Sequence, residues 1–197
     1  MRGERTLHSV DATATPTRER ILYATAELFR RQGYAGTGLK QVVADAQAPF
    51  GSLYHHFPGG KQQLADEVIR AGGAFFQALV IAVYDEEATA EASVRAVFEG
   101  AAETLVSTDF QDACPIATVA LEVASTNDDL RRATAEVFEQ WTAALTERLG
   151  ERDQALAVVS ALEGAFVLSR AQRSVEPMLA AGRMAAAHVA APSRIRP

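Results

Sequence analysis

The segment 49-PFGSLYHHFPGGKQQL-64 concentrates ring-bearing side chains that an acidic, soluble chain has little reason to expose. Five rings fall within eight residues, and they include two adjacent histidines. Pro49 favours a helix start and 58-PGG-60 favours a helix end, so the segment predicts one short helix. A buried stripe on that helix, with i, i+3, i+4, i+7 spacing, is predicted for Phe50, Leu53, Tyr54 and Phe57.

The preceding residues predict two further helices that pack with this one. Thr15 or Thr17 is expected to cap the first helix, which Gly33 ends. Thr37 is expected to cap a short second helix, which the 48–49 Ala-Pro step interrupts. Two short helices joined by a tight turn and packed on a first helix predict a helix-turn-helix, whose second short helix enters the major groove of DNA.

The rest of the chain carries helical signals and no convincing strand. A long helix is predicted from Lys61, and the 72-GG-73 pair inside it marks either a local weakness or a close-packing point. The sequence therefore predicts an all-α fold, in which a three-helix helix-turn-helix domain precedes a larger helical domain. Further helices are predicted at 90–107, 115–125, 128–149, 153–173 and 176–189. The predicted divisions are a flexible arm at 1–16, the DNA-binding domain at 17–60, the larger domain at 61–190 and a flexible tail at 191–197.

The composition indicates a globular protein of a reducing compartment. The chain has 197 residues, 48% of them hydrophobic, and a single cysteine, Cys114, so it forms no intrachain disulfide. It contains no run near the roughly 20 apolar residues of a membrane span. Its first residues lack the apolar core of a secretory signal. We therefore expect a cytoplasmic protein.

Charge is divided unevenly along the chain. The net charge is −6, but residues 1–61 carry eight Lys/Arg against five Asp/Glu, a net of +3. The remaining residues carry eleven against twenty, a net of −9. Unless this difference is a chance fluctuation, the N-terminal third is expected to meet an anionic partner.

Residues 17–64 resemble the N-terminal domain of TetR-family transcriptional repressors. The resemblance lies in the first-helix motif AELFRRQGY, the cap Thr37, the recognition-helix motif SLYHHF and the lysine that opens the fourth helix. The FPGGK motif and 114-CPIATVALEVA-124 further resemble the subgroup that contains lincomycin-resistance and flavonoid-responsive repressors. The resemblance implies a homodimer that binds double-stranded operator DNA and a small-molecule effector.

The resemblance also implies which residues contact DNA. Two positions depart from the family pattern, because Gln47 stands where the turn usually has glycine and Phe50 where lysine or arginine is common. For Phe50 and Tyr54 packing inside the domain is the alternative, and for the histidines and Lys61 it is ordinary solvent exposure. The implied contacts are Thr37 and Lys40 from the second helix, Pro49, Phe50, Gly51 and Ser52 at the base-facing start of the recognition helix, Tyr54, His55 and His56 against the DNA backbone, and Lys61 on a phosphate.

The acidic remainder is expected to hold the effector and the dimer contact. Its ring-rich helices are predicted to enclose a cavity for a small apolar or aromatic molecule, although stripes of this spacing also fill ordinary cores. The dimer contact is expected in the last two helices, which are rich in small residues; solvent-facing alanine is the alternative. The predicted effector contacts are Phe75, Phe98, Leu105, Phe138, Trp141, Leu145 and Phe166.

Two polar residues and the cysteine complete the candidates in this domain. Glu163 and Arg170 lie two turns apart on one predicted helix, where they either pair, orient a ligand or, as we favour, face solvent. Cys114 is expected to be a buried small residue rather than a redox sensor.

An enzyme is the first rival class, and the sequence speaks against it. The adjacent histidines point about 100° apart on a helix and suit no metal, the Gly60-Lys61 step lacks the other residues of a phosphate-binding loop, and no G-x-S-x-G motif occurs. Neither a cofactor nor a metal is expected. A helical small-molecule-binding protein that does not bind DNA is the second rival, which the basic N-terminal third disfavours. The sequence therefore predicts a ligand-responsive transcriptional repressor.

Overall fold

The computed structural model describes residues 15–191, and each element in that range is an α-helix, as the sequence predicts. The predicted arm and tail fall mostly outside the described residues, and the division at residue 60 stays a prediction. The helices are α1 (Thr17–Gly36), α2 (Leu39–Asp45), α3 (Phe50–His56), α4 (Gly60–Asp85), α5 (Ala90–Ser107), α6 (Pro115–Val123), α7 (Asp128–Leu149), α8 (Arg152–Gln172) and α9 (Glu176–Ala190).

Helices α1, α2 and α3 form a small unit around a shared apolar centre. Both short helices pack on α1 and on each other. Large rings are needed because so small a unit has little area to bury. Its fully or almost fully buried side chains are Ile21, Phe29, Val42, Leu53 and Phe57.

Both threonine caps predicted for this unit are wrong. Pro16 occupies the cap position of α1, and no side chain caps that end. Gly38 occupies the cap position of α2, again without a side-chain cap. Thr37 instead donates its hydroxyl to the carbonyl oxygen of Gly33, 2.6 Å away, and so closes the end of α1. A threonine between two helices can hydrogen-bond to the end of the first or to the start of the second, and Thr37 bonds to a carbonyl oxygen at the end of α1.

The larger domain is a bundle in which α4, α5, α7, α8 and α9 pack on one another. Helix α6 differs, because it packs on α1 of the small unit as well as on α7 and α4. It therefore joins the two parts of the chain, together with α4, which also contacts α1. The bundle core includes Phe98, Leu105, Ile116, Leu130 and Met178, each almost fully buried.

Two described helices, α4 and α8, are long and apolar enough to cross a membrane by length and composition alone. Both are packed against other helices of the bundle, α4 on α1, α5 and α7, and α8 on α7 and α9. Core helices of globular proteins have the same composition, so this property does not separate the two cases.

The glycine pair inside α4 is a close-packing point, and only one of its members is responsible. A Cβ atom on Gly73 would lie 2.5 Å from Cγ1 of Val137 on α7, whereas one on Gly72 would meet no heavy atom within 4 Å. The carbonyl oxygen of Gly73 also accepts a hydrogen bond from the indole Nε1 of Trp141, at 2.9 Å. The absent side chain thus brings α4 and α7 together at Trp141.

We expect opposite effects from alanine at these two glycines. Gly73→Ala should lower the free energy of unfolding by about 1–3 kcal/mol, because the added methyl group overlaps Val137. Gly72→Ala should leave it unchanged or raise it by up to about 1 kcal/mol, because alanine is the better helix former. Chemical denaturation of both variants measures the difference, and an equal loss in Gly72→Ala would contradict the packing explanation.

Candidate nucleic-acid interface

Helix α3 divides its rings between the core and the surface. Leu53 and Phe57 are completely buried, whereas Phe50 and Tyr54 are 44% and 48% exposed. The two exposed rings contact each other edge to face, with centroids 5.8 Å apart. The buried stripe predicted from spacing is therefore wrong for Phe50 and Tyr54. Phe50 lies one turn before the core begins, and Tyr54 is rotated roughly 80° from the buried line at 100° per residue.

The other residues predicted to contact DNA from α3 lie at the surface with these rings. Pro49, Gly51 and His55 are exposed, and Ser52 and His56 are half-buried. The two histidine rings lie 5.0 Å apart, edge to face. One helix of seven residues thus presents aromatic, imidazole and hydroxyl groups together. Such groups bind phosphate oxygens and base edges.

The turn between α2 and α3 has the strain that its sequence predicts. Gln47 adopts a φ of +49°, the left-handed region that favours glycine. Arg20 of α1 supports this turn, since its Nε donates to the carbonyl oxygen of Ala46 at 3.0 Å and its Nη2 to that of Gln47 at 3.3 Å. In the sequence Arg20 is only one positive charge among eight, and no local pattern predicts its role in the turn.

Three arginines of α1 form ion pairs with carboxylates of the same chain. Arg18 forms an ion pair with Glu67, and Arg31 lies 3.6 Å from Glu27. Arg30 contacts Glu27 and reaches Asp112, 3.2 Å away, in the segment before α6. Three of the six Lys and Arg residues described in the N-terminal third are therefore paired with carboxylates of the chain itself.

The three remaining predicted phosphate contacts differ in accessibility. Lys40 is exposed, and no described residue forms an ion pair or hydrogen bond with it. Lys61 places its Nζ 4.3 Å from the centroid of the Tyr34 ring. Burial lowers the pKa of Lys61, and Glu122 nearby opposes this shift. Thr37 is buried, and its hydroxyl is engaged with Gly33. Of the three, Lys40 is the most available to a phosphate.

The larger domain contains a small cavity of about 30 Å³ between α4, α5, α7 and α8. Its wall carries three aromatic rings, Phe76, Tyr84 and Trp141, and is otherwise mainly aliphatic. The polar side chains in the wall are Gln77 and Glu163. One water molecule needs roughly 10–15 Å³ of such space, so the cavity holds about two or three waters. An effector therefore has to widen the cavity.

The seven predicted effector contacts are distributed over several places. Trp141 and Leu145 line the cavity, and the half-buried Phe138 stacks edge to face on Trp141 with centroids 5.5 Å apart. Phe98, Leu105 and Phe166 are buried in the bundle without lining the cavity, and Phe75 is 61% exposed. Their role in effector binding stays a prediction.

The cavity residues on α4 were missed because the phase of that helix is ambiguous in the sequence. Phe75 and Phe76 are adjacent, and the structure turns Phe76 inward and Phe75 outward. The four-residue spacing of Phe76, Val80 and Tyr84 is the pattern in the sequence that indicates one shared inner face of α4.

Glu163 does not face solvent, so that expectation is wrong. Both carboxylate oxygens are buried and have no hydrogen-bond partner among the described residues. Burial raises the pKa of Glu163 to about 7, and the nearby Cys114 thiol opposes the shift. Arg170 does not pair with it, because its guanidinium donates to the carbonyl oxygens of Phe110 and Gln111, at 3.2 and 3.0 Å. Glu163 follows the buried Leu162 on the inner side of α8.

Helix α6 has a contact at each end. Cys114, before its first residue, lies near Glu163 of the cavity wall, and Glu122, near its last residue, contacts the helix-turn-helix. Cys114 is buried, as expected, and its Sγ accepts a hydrogen bond from the amide of Ala117 at the start of α6. Near the other end of α6, Glu122 accepts a hydrogen bond from the amide of Ala35, 2.6 Å away, at the end of α1. Within residues 15–191 no cluster of His, Cys, Asp and Glu is placed to hold a metal ion.

Comparisons with known proteins agree with this architecture. Residues 21–68 match the family "Bacterial regulatory proteins, tetR family", and residues 90–184 match "Transcriptional regulator LmrA/YxaF-like, C-terminal domain". The transcriptional regulators YxaF and LmrA of Bacillus subtilis are 32% and 31% identical to the chain, over 83% of it and 90% and 91% of their own length. The crystal structure of regulatory protein TetR from Rhodobacter sphaeroides superposes with a TM-score of 0.78, at 22% identity, over 88% of this chain and 99% of that one.

Proposed function

The chain belongs to the TetR family of transcriptional regulators, with an LmrA/YxaF-like C-terminal domain, and on this premise we propose that it is a ligand-responsive repressor. In this proposal a cytoplasmic homodimer binds a palindromic operator and is released by a small molecule with an apolar or aromatic body. Regulators of this family are not enzymes. The observation that carries the proposal is α3, which anchors itself through Leu53 and Phe57 while it exposes Phe50 and Tyr54.

DNA reading is assigned to the exposed side of α3. In a symmetric dimer two recognition helices enter successive major grooves about 34–36 Å apart. Phe50 has no hydrogen-bonding group, so its contribution to sequence reading is apolar contact with thymine methyl groups. Ser52 and the histidines supply donors for base edges and phosphates. Lys40 adds a charge contact that does not depend on sequence.

Effector release is assigned to α4, which lines the cavity and contacts α1, and to α6, which packs on α4 and α7 as well as on α1. Helix α4 carries Lys61, in contact with Tyr34, at its start and Phe76 and Tyr84 in the cavity wall. An effector larger than the cavity displaces this wall, and it changes DNA affinity only if it prefers the displaced arrangement. The Lys61–Tyr34 and Glu122–Ala35 contacts are the places where that displacement reaches the DNA-binding unit.

We expect two kinds of DNA-binding defect from the exposed residues of the small unit. Phe50→Ala should change the ranking of operator sequences, with a loss of up to about 1–3 kcal/mol at a base pair that Phe50 reads. Lys40→Gln should weaken binding to all sequences alike and reduce the salt slope by about one, because one phosphate contact is lost. Sequence selection from a random duplex library, followed by salt titration, measures both effects.

Two further variants make this experiment decisive. Phe75→Ala removes a ring of α4 that is more exposed than Phe50, and it should change neither the sequence preference nor the salt slope. Lys61→Gln distinguishes two roles of Lys61. If Lys61 contacts a phosphate, the substitution should reduce the salt slope of DNA binding. If Lys61 only packs on Tyr34, the substitution should lower the stability of the protein and leave the salt slope unchanged. If the unaltered protein selects no sequence and binds duplex DNA no better than Phe50→Ala does, the protein is instead a small-molecule-binding bundle.

A further inference from the structure

The carboxylate of Glu163 is buried, and the proposed function so far gives it no role. It lines an otherwise mainly apolar cavity, and its buried oxygens have no hydrogen-bond partner of ordinary geometry among the described residues, only the weakly donating Cys114 thiol beside them. A buried carboxylate without a partner is costly, and native proteins keep few of them without a functional reason. The position of Glu163 in the cavity wall makes ligand binding that reason.

The protein itself does not supply a countercharge for this carboxylate. No Lys, Arg or His is among the residues that line the cavity. Arg170, the basic residue two turns along α8, is held by the carbonyl oxygens of Phe110 and Gln111. The Cys114 thiol lies near Glu163 but is at best a weak donor. A positive charge that compensates the ionised form of Glu163 therefore has to come from outside.

We propose that the effector is a lipophilic amine, whose ammonium group donates to the Glu163 carboxylate while its apolar body lies among Phe76, Tyr84 and Trp141. This proposal rests on the proposed function as a ligand-responsive regulator and names the chemical class of its ligand. Charge pairing in an apolar site is stronger than at the surface. The three rings supply apolar area against which the body of the amine packs.

The proposal carries a pH dependence with a definite sign. A protonated amine pairs with the ionised form of Glu163, whose pKa is raised to about 7. The titratable groups nearby are Cys114, which caps α6, and Tyr84, which lines the same cavity from α4; burial raises the pKa of both above their ordinary values of 9.0 and 10.0. Between pH 6 and 8 Glu163 therefore changes from mostly protonated to mostly ionised. Amine affinity should rise about tenfold over this range.

The test uses two probes of one shape, phenylbutylamine and phenylbutanol. Their binding is followed by the fluorescence of Trp141, which lines the cavity and is the single tryptophan of the chain. The amine should bind the unaltered protein at least about tenfold more tightly than the alcohol. Glu163→Gln keeps the side-chain shape and should weaken the amine about 10- to 100-fold while changing the alcohol less than about threefold. Its thermal midpoint should be equal or higher, because an uncompensated buried acid is removed.

The outcomes separate this proposal from the proposed function. Equal binding of the two probes, binding of neither, or full retention of amine affinity in Glu163→Gln overturns the amine assignment. Operator release is measured separately, by displacement of labelled DNA at the same amine concentrations. Amine binding that depends on Glu163 but leaves operator binding intact supports the amine site and contradicts the ligand-responsive function.

Discussion

Gly33→Ala is expected to lower the free energy of unfolding by about 3 kcal/mol, since two separate costs meet at this residue. The first is conformational. Gly33 has a φ of 73° and a ψ of −176°, a backbone region that is essentially restricted to glycine and costs other residues about 1–3 kcal/mol. The turn it makes ends the regular part of α1 and directs the chain toward α2.

The second cost is steric and concerns the contact between the two parts of the chain. A Cβ atom on Gly33 would overlap Oε1 of Glu122 on α6. The same carboxylate holds the amide of Ala35, so moving it aside breaks a hydrogen bond to a charged group. That bond lies near the surface, and its loss contributes less than the about 1.5–3 kcal/mol of a buried one.

Three variants measured by thermal unfolding distinguish these costs. Gly36→Ala is the control, because its backbone is not in the left-handed region and its nearest new contact, Cβ of Gln32, is at an ordinary 3.5 Å. It should leave the midpoint within a few degrees, whereas Gly33→Ala should lower it by about 6–12 °C. Adding Glu122→Ala to Gly33→Ala removes the overlap and should leave the backbone cost together with the loss of the hydrogen bond to Ala35. A midpoint for Gly33→Ala equal to that of Gly36→Ala would contradict the prediction.

The sequence predicts the elements of this fold well, because each helix has a clear start or end. The Ala48–Pro49 step separates α2 from α3, the helix predicted at 115–125 does begin at Pro115, and the helix predicted at 128–149 does end just before Gly150. The prediction of a helix boundary fails where one residue can cap either of two neighbouring helices. Thr37 is such a case, since its side chain reaches back to Gly33 rather than forward into α2.

The candidate sites are harder to predict, because they depend on which face of a helix is covered. Between Ala71 and Val83 the only polar side chain of α4 is Gln77, so periodicity alone does not distinguish Phe75 from Phe76. Glu163 looks like a surface residue in the sequence, and only the arrangement of α4, α7 and α8 around it makes it a cavity residue. Long-range packing decides both cases, and a single sequence records it weakly.

Helices α8 and α9 leave an apolar surface that a homodimer would bury. Between Gln154 and Ala171 the exposed residues of α8 are small or apolar and none is charged. Met184 of α9 is 63% exposed, and the exposed Ala180 and Ala187 lie about one turn before and after it. Large apolar patches of this kind mark interfaces, and a palindromic operator requires two linked recognition helices. The exposed α8 residues are Leu156, Ala157, Ser160, Gly164, Val167, Leu168 and Ala171.

Leu168→Glu is expected to convert the protein into a monomer at micromolar concentration and to abolish specific operator binding. The substitution places one carboxylate from each subunit in the proposed interface, and a central interface residue contributes about 2 kcal/mol or more. Two copies per dimer give about 4 kcal/mol, or about a thousandfold weaker association.

Leu79→Glu on α4 is the matched control, since Leu79 is 50% exposed and Leu168 is 52% exposed. Sedimentation equilibrium should show a dimer for Leu79→Glu and a monomer for Leu168→Glu, with operator affinity retained in the former and lost in the latter. The reverse pattern would place the interface on α4, and a dimer that survives both substitutions would contradict an interface through α8.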